Sequence, residues 1–166
     1  MLESPGIIVA PGAYDGISAR VIEQAGFTAA YMTGAGVSGS MVGHADIGLT
    51  TMTEMAAAAR NIAQVLSIPL LCDADTGYGN PLNAIRTVHE YEMAGVAAIQ
   101  LEDQQLPKRC GHLGGKVLVS GEESWLGQKA QAPRVALTRV PHIVIHPRLK
   151  VFVQWKNYNS EIPDLW

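Results

Sequence analysis

Carboxylates at the ends of apolar runs are the residues whose types and spacing most suggest chemistry. Asp73-Ala74-Asp75-Thr76-Gly77-Tyr78-Gly79-Asn80 follows directly on Pro69-Leu70-Leu71-Cys72. Side chains alternate along a strand, so residues two apart point the same way, and two carboxylates brought together at its end repel unless a cation lies between them. Glu102-Asp103 closes the next apolar run, Val96 to Leu101, and Asp46 follows a glycine-rich stretch. Four carboxylates, Asp46, Asp73, Asp75 and Glu102, with few nitrogen donors nearby, suit a hard divalent ion such as Mg2+ or Mn2+ held partly through water. The competing reading is a set of acids that cap helices or solvate loops.

A second group is Lys108-Arg109-Cys110-Gly111-His112-Leu113-Gly114-Gly115-Lys116. Positive charge from Lys108, Arg109 and His112 stabilises the thiolate form of a cysteine among them, which makes Cys110 a candidate for proton exchange. Glycines 111, 114 and 115 would let such a loop open and close, although a solvated turn has the same composition. Cys72, inside a strand, reads as core. The third group is Tyr31-Met32-Thr33-Gly34-Ala35-Gly36, where a hydroxyl residue followed by Gly-x-Gly leaves backbone N–H groups open to a carboxylate or phosphate.

The elements that must position these groups alternate. Ile7–Ala10 is a short apolar run stopped by Pro11-Gly12, followed by a helical pattern through Ile17, Val21, Ile22 and Ala25 that Gly26 closes. Ala29–Thr33 reads as the second strand, followed by a long glycine-rich loop. Thr51-Met52-Thr53-Glu54 has capping-box spacing and opens an alanine-rich helix to about Leu66. Pro69–Asp73 is the third strand, Asn80-Pro81 caps a helix that Gly95 ends, and Val96–Leu101 is the fourth strand. Its continuous apolar character suits a strand covered on both faces. Ser120-Gly121-Glu122-Glu123 announces a fourth helix. Such alternation implies a parallel sheet with right-handed crossovers. A complete (βα)8 barrel takes about 250 residues and at least about 200, so 166 cannot contain one. Carboxylates ending successive strands favour a barrel over an open sheet, because they converge at one C-terminal mouth.

Composition bounds the function. With 48% hydrophobic and 16% charged residues and a formal net charge of -3, the chain is an ordinary globular one, without the basic face that nucleic acid or anionic membrane would require. Its apolar runs fall far short of the roughly 20 residues that cross a bilayer. Met1-Leu2-Glu3-Ser4-Pro5 carries an acid where a signal peptide wants a basic residue, so a cytoplasmic protein is expected. Two cysteines are too few for a disulfide scaffold. Residues 1–125 hold 6 basic and 13 acidic side chains, residues 126–166 hold 6 and 2, and all 17 glycines lie at or before Gly127. The chain therefore divides into an α/β part, 1–125, and an atypical tail, 126–166, in which only Val140–Ile145 and Val151–Trp155 resemble strands.

Together these motifs resemble the isocitrate lyase / phosphoenolpyruvate mutase superfamily, closest to its 2-methylisocitrate lyase-like branch, over about Val9 to Glu123. Asp73 and Asp75 match its Asp-Ala-Asp metal pair, Glu102 its Ile-Glu-Asp glutamate, and Asp46 the acid after its glycine-rich loop. Tyr31, Thr33, Gly34 and Ala35 align with the Tyr-x-Ser-Gly-Gly stretch that holds substrate carboxylate, with threonine and alanine here in place of serine and glycine. Lys108–His112 reproduces the Lys-Arg/Lys-Cys-Gly-His signature of its mobile loop. The resemblance implies the N-terminal half of a TIM barrel, (βα)4-like, and a Mg2+-dependent carbon–carbon lyase that cleaves a (methyl)isocitrate-like 2-hydroxy tricarboxylate to glyoxylate or pyruvate and a dicarboxylate. It implies Cys110, Arg109, His112 and Tyr31 as catalytic, with Thr33, Gly34, Ala35 and Gly111 beside Tyr31, Arg109 and His112 in binding a small 2-hydroxy or 2-oxo carboxylate. Members commonly form homo-oligomers. The family's Ala-Arg-Thr-Asp strand is absent after Glu123, as a frame shift, retained intron or alternative splice would produce. An inactive fragment and an oxaloacetate decarboxylase relative are therefore alternatives, and a half-barrel would leave two sheet edges open.

Overall fold

The computed structural model describes residues 8–110 and 114–119, together with the backbone of three short strands at 136–137, 143–145 and 150–154. Strands β1 (Gly12–Ala13), β2 (Ala30–Met32), β3 (Leu70–Asp73) and β4 (Ala98–Glu102) lie side by side in chain order, all parallel. Parallel neighbours need a crossover, supplied by α1 (Gly16–Gln24), by α2 (Gly34–Val42) with α3 (Met52–Ala63), and by α4 (Pro81–Met93). Each start is fixed by a short polar side chain. Asp15 accepts from the Ser18 N–H at 2.7 Å, Thr51 and Glu54 form the capping box their spacing predicts, and Asn80 accepts from Leu82 and Asn83 with Pro81 next in line.

Two elements differ from the sequence expectation. The first strand is Gly12–Ala13, not Ile7–Ala10: Ala13 is fully buried and pairs with Met32, whereas Val9 is 59% exposed. The stretch expected to be a glycine-rich loop is helix α2, with Thr33 as N-cap, its Oγ1 accepting from the Gly36 N–H at 3.2 Å, and Gly43 in the left-handed conformation at its end. Each helical glycine costs about 1 kcal/mol relative to alanine. Burial of Val37 and Ser38 offsets that cost locally.

The tail joins the same sheet. Strands β5 (Ala136–Leu137), β6 (Ile143–Ile145) and β7 (Lys150–Gln154) extend it in the order β1-β2-β3-β4-β7-β6-β5. β7 runs parallel to β4, with Ile99 opposite Val151 and Glu102 opposite Gln154, while β6 and β5 continue antiparallel. The β4 edge, expected to be open, is therefore hydrogen-bonded. The helix expected at Ser120–Glu123 lies outside the described residues.

Helix α3 packs against both α1 and α4, and the core gathers Met32, Met55, Ile62, Leu70, Cys72, Ile99 and Leu101. Cys72 is buried, as its place in a strand implies. Tyr91 of α4 is also fully buried; its hydroxyl donates to the Asp73 carbonyl at 3.1 Å and lies 3.1 Å from the Tyr78 hydroxyl. Tyr91→Phe leaves that carbonyl without its side-chain donor and should destabilise the fold by about 1–2 kcal/mol, read as a lower urea midpoint at unchanged slope. No described helix is long and apolar enough to cross a membrane.

Candidate metal and carboxylate centre

The C-terminal ends of β2, β3 and β4 bring the candidate residues to one side of the sheet. Asp73 ends β3, and Asp75 follows in the left-handed region at φ 46°, a conformation that aspartate tolerates better than bulkier residues. Its N–H donates to Asp73 Oδ1 at 3.0 Å, and its carbonyl accepts from the Glu102 N–H at 2.7 Å, which locks the β3 and β4 ends together. Asp46 arrives from the loop between α2 and α3 and is 8% exposed. One carboxylate oxygen from each of Asp46, Asp73 and Asp75 lies within 4.8 Å of the others. This all-oxygen set, with Asp46 and Asp75 buried and Asp73 partly so, fits a hard divalent cation.

Glu102 is not part of that triad. Its Oε2 accepts from Gln104 Nε2 at 2.7 Å. Lys108 lies between two of the acids: only 2% exposed, its ammonium bonds Asp46 Oδ1 at 2.6 Å and also Asp75 Oδ1. One ammonium cannot balance this many carboxylates. Burial therefore raises the Asp73 and Glu102 carboxyls above their usual range and lifts Asp75 up to about 7, despite the nearby lysine. Burial pulls the Lys108 ammonium the other way, but the charge of Asp75 and the bonds to both aspartates outweigh it and hold its pKa above the usual lysine value.

A carboxyl whose pKa rises on folding, from 3.8 to about 7, binds its proton more tightly in the native state, so its contribution to stability is greatest at low pH and declines as pH rises from about 4 to 7. In EDTA, wild-type protein should lose stability relative to Asp75→Asn across this window, by up to about 1.4 kcal/mol per pH unit. Urea midpoints of the two proteins at several pH values check this; a difference that does not change with pH contradicts it.

The hydroxyl and glycine residues of β2 and α2 are partly committed within the fold. Thr33 caps α2, and the Gly34 N–H donates to Asp73 Oδ2 at 3.3 Å. A Cβ on Gly34 would stand 2.5 Å from that oxygen, so glycine is required by close approach. Gly34→Ala should turn the Asp73 carboxylate away and cost about 1–3 kcal/mol, measurable by urea unfolding. Ala35, in the first turn of α2, is exposed. The Tyr31 hydroxyl donates to Gln100 Oε1 at 3.1 Å; burial and the negative charge of Asp73 hold its pKa well above the usual phenol value, so it keeps its proton.

The loop after β4 carries Arg109, exposed, with Nη1 donating to the Gly114 carbonyl at 3.3 Å, and Cys110, a half-buried thiol. Gly111 and His112 lie outside the described residues. Three participants escape sequence reasoning: Lys108 as the buried partner of the acids, Gln104 and Gln100. The spacing of Lys108 marks it only as part of a basic loop, and a glutamine carries no charge pattern to notice.

The profile of the phosphoenolpyruvate phosphomutase family matches residues 1–162. The chain is 54% identical over 123 residues to 2,3-dimethylmalate lyase of Eubacterium barkeri, covering 74% of this chain and 43% of that protein. It is 43% identical over 148 residues to 2-methylisocitrate lyase of Bacillus subtilis (strain 168), covering 89% and 47%. The crystal structure of a 2,3-dimethylmalate lyase, a PEP mutase/isocitrate lyase superfamily member, superposes with a TM-score of 0.69 at 52% identity over 72% of this chain and 40% of that one. The chain thus spans less than half the length of these relatives.

Proposed function

Because the chain belongs to the phosphoenolpyruvate phosphomutase family, whose barrel members share its parallel α/β architecture, we propose that its acidic centre holds Mg2+, with Mn2+ as substitute. We propose further that it cleaves a carbon–carbon bond of a (methyl)isocitrate-like 2-hydroxy tricarboxylate, giving glyoxylate or pyruvate and a dicarboxylate. The observation that carries this reading is the approach of the Asp46, Asp73 and Asp75 oxygens to within 4.8 Å at the end of β3, with the Cys110 segment tied to the same carboxylates through Lys108. The names of the two lyases support it, since both act on branched hydroxy acids.

Asp73, Asp75 and Asp46 would hold the ion directly, with Glu102 joining through water. Bound there, the ion supplies Lewis-acid polarisation of the substrate's hydroxyl and carboxylate oxygens. The remaining work falls to side chains of this chain. Tyr31 gives its single proton to Gln100 Oε1, so its oxygen accepts a hydrogen bond from the substrate hydroxyl and orients that group as it loses its proton. As the carbon–carbon bond breaks, electron density builds on the departing dicarboxylate, and Cys110 gives that carbon a proton. Arg109 and His112 balance the developing charge, with Gly111 allowing close approach. Of the groups around Thr33, Gly34 and Ala35, the Thr33 and Gly34 N–H groups already donate to the Ala13 carbonyl and to Asp73 Oδ2, which leaves the exposed first turn at Ala35 and the Thr33 side chain to meet a substrate carboxylate.

One fact favours a second reading, a cation-binding fragment without turnover: the chain covers under half of its relatives. Incubation with 2-methylisocitrate, following 2-oxo acid release in Mg2+ and in EDTA, separates the two. Release that EDTA abolishes supports the lyase, cation uptake without release supports the fragment, and neither one overturns both.

A further inference from the structure

We infer that Lys108 is a positioning residue, a latch that fixes the Cys110 loop onto the acidic centre, with Gln104 as a second clasp. The inference rests on the reading of Cys110 as proton donor. Lysines are almost never fully buried unless their ammonium is paired, and Lys108 is 2% exposed. Its two partners come from different parts of the chain: Asp46 from the loop between α2 and α3, at 2.6 Å, and Asp75 from the turn after β3. Asp73 and Glu102 add negative charge around it. The thiol of Cys110 lies two residues further on, so wherever the ammonium is anchored, the backbone that carries the thiol is anchored too.

Gln104 acts on the next residue. Its Oε1 accepts from the Arg109 N–H at 3.0 Å, and its Nε2 donates both to the Arg109 carbonyl at 2.9 Å and to Glu102 Oε2 at 2.7 Å. One buried amide thus grips both peptide groups flanking Arg109 and is itself held by the carboxylate that ends β4. Backbone bonds from Gln105 to Val117 at 2.8 Å and from Val119 to Asp103 at 2.9 Å close the base of the loop. With Asp46, Asp73, Asp75 and Glu102 facing a single ammonium, negative charge remains for a divalent cation. Charge alone therefore does not set the latch against a cation, and the acids that hold the ammonium also place the backbone of the thiol.

The test compares wild type, Lys108→Met, Lys108→Arg and Asp46→Asn as full chains in EDTA without substrate. Amide hydrogen exchange over residues 104–110 and the alkylation rate of Cys110 are read, with strand β3 and the buried Cys72 as internal references for an intact fold. Lys108→Met should speed exchange over 104–110 by about tenfold or more and speed Cys110 alkylation, while Cys72 stays protected. Lys108→Arg should recover part of the protection, and Asp46→Asn should give a smaller loosening of the same segment. Exchange over 104–110 at the wild-type rate in Lys108→Met overturns the inference. Should that variant expose Cys72, Asp46→Asn decides, since it keeps a lysine paired with Asp75, and an unchanged segment there overturns the inference equally. Neither cation nor substrate enters these arms, so a failed latch is distinct from a failed lyase assignment, which shows as absent oxo-acid release.

Discussion

Asp73→Ala should remove divalent-cation uptake while leaving the fold intact. Asp73 is the fixed member of the triad. Its Oδ1 accepts from the Asp75 N–H at 3.0 Å, its Oδ2 from the Gly34 N–H at 3.3 Å, and its carbonyl from the Tyr91 hydroxyl at 3.1 Å. The two N–H donors aim the carboxylate without neutralising it, and the Tyr91 hydroxyl fixes the backbone behind it. Changes to residues that merely orient a metal ligand cost about 10- to 100-fold in affinity, so loss of a central ligand should cost at least roughly that upper figure. Stability in EDTA should not fall in proportion, because burial already raises the Asp73 carboxyl and its removal relieves repulsion with Asp46. Calorimetric titration with Mg2+ beside a urea melt reads both quantities. Wild-type affinity in Asp73→Ala would show that the ion is held elsewhere.

Cys110→Ser should lower turnover by about 10²- to 10⁴-fold, the usual contribution of a placed proton donor. A serine hydroxyl is a far weaker acid than a thiol of similar size, so the variant keeps the shape of the loop and loses the proton it can deliver. Cation uptake should be unchanged, because the ligands sit on β3 and the α2–α3 loop and not on the Cys110 segment. Comparing 2-oxo acid release by the two proteins at saturating Mg2+ measures the effect. Undiminished release would assign the proton to another group.

The legibility of this site follows from how much of each residue's role is local. Strand alternation paired Asp73 with Asp75 in the sequence, but Asp75 lies beyond β3 in the left-handed region, and it is that turn, held by the Asp75 N–H on Asp73 Oδ1, that brings the two carboxylates together. The caps at Thr51 and Asn80 were visible because a capping box spans four residues. Asp46 could be counted among the acids but not placed, since nothing in Gly43-His44-Ala45-Asp46 indicates that the loop folds back over β3. Helix α2 was hidden for a physical reason: Gly34, Gly36 and Gly39 disfavour a helix when taken alone, and the packing of Val37 together with the approach of Gly34 to Asp73 overrides that preference. The pairing of β7 with β4 was equally out of reach, because register between strands some fifty residues apart is a tertiary property. Lys108 shows the same limit from the electrostatic side, where a basic residue in a glycine-rich loop suggests solvent until the acids that bury it are placed around it.

The acidic centre is the claim on which the functional account turns, and titration of EDTA-stripped wild-type chain with Mn2+, followed by the paramagnetic resonance of the free ion, addresses it most directly. The account predicts that the first equivalent of Mn2+ is taken up, with the free-ion signal appearing only afterwards, and that Mg2+ displaces the bound ion. A free-ion signal that grows from the first addition, in protein shown to be folded, would contradict it.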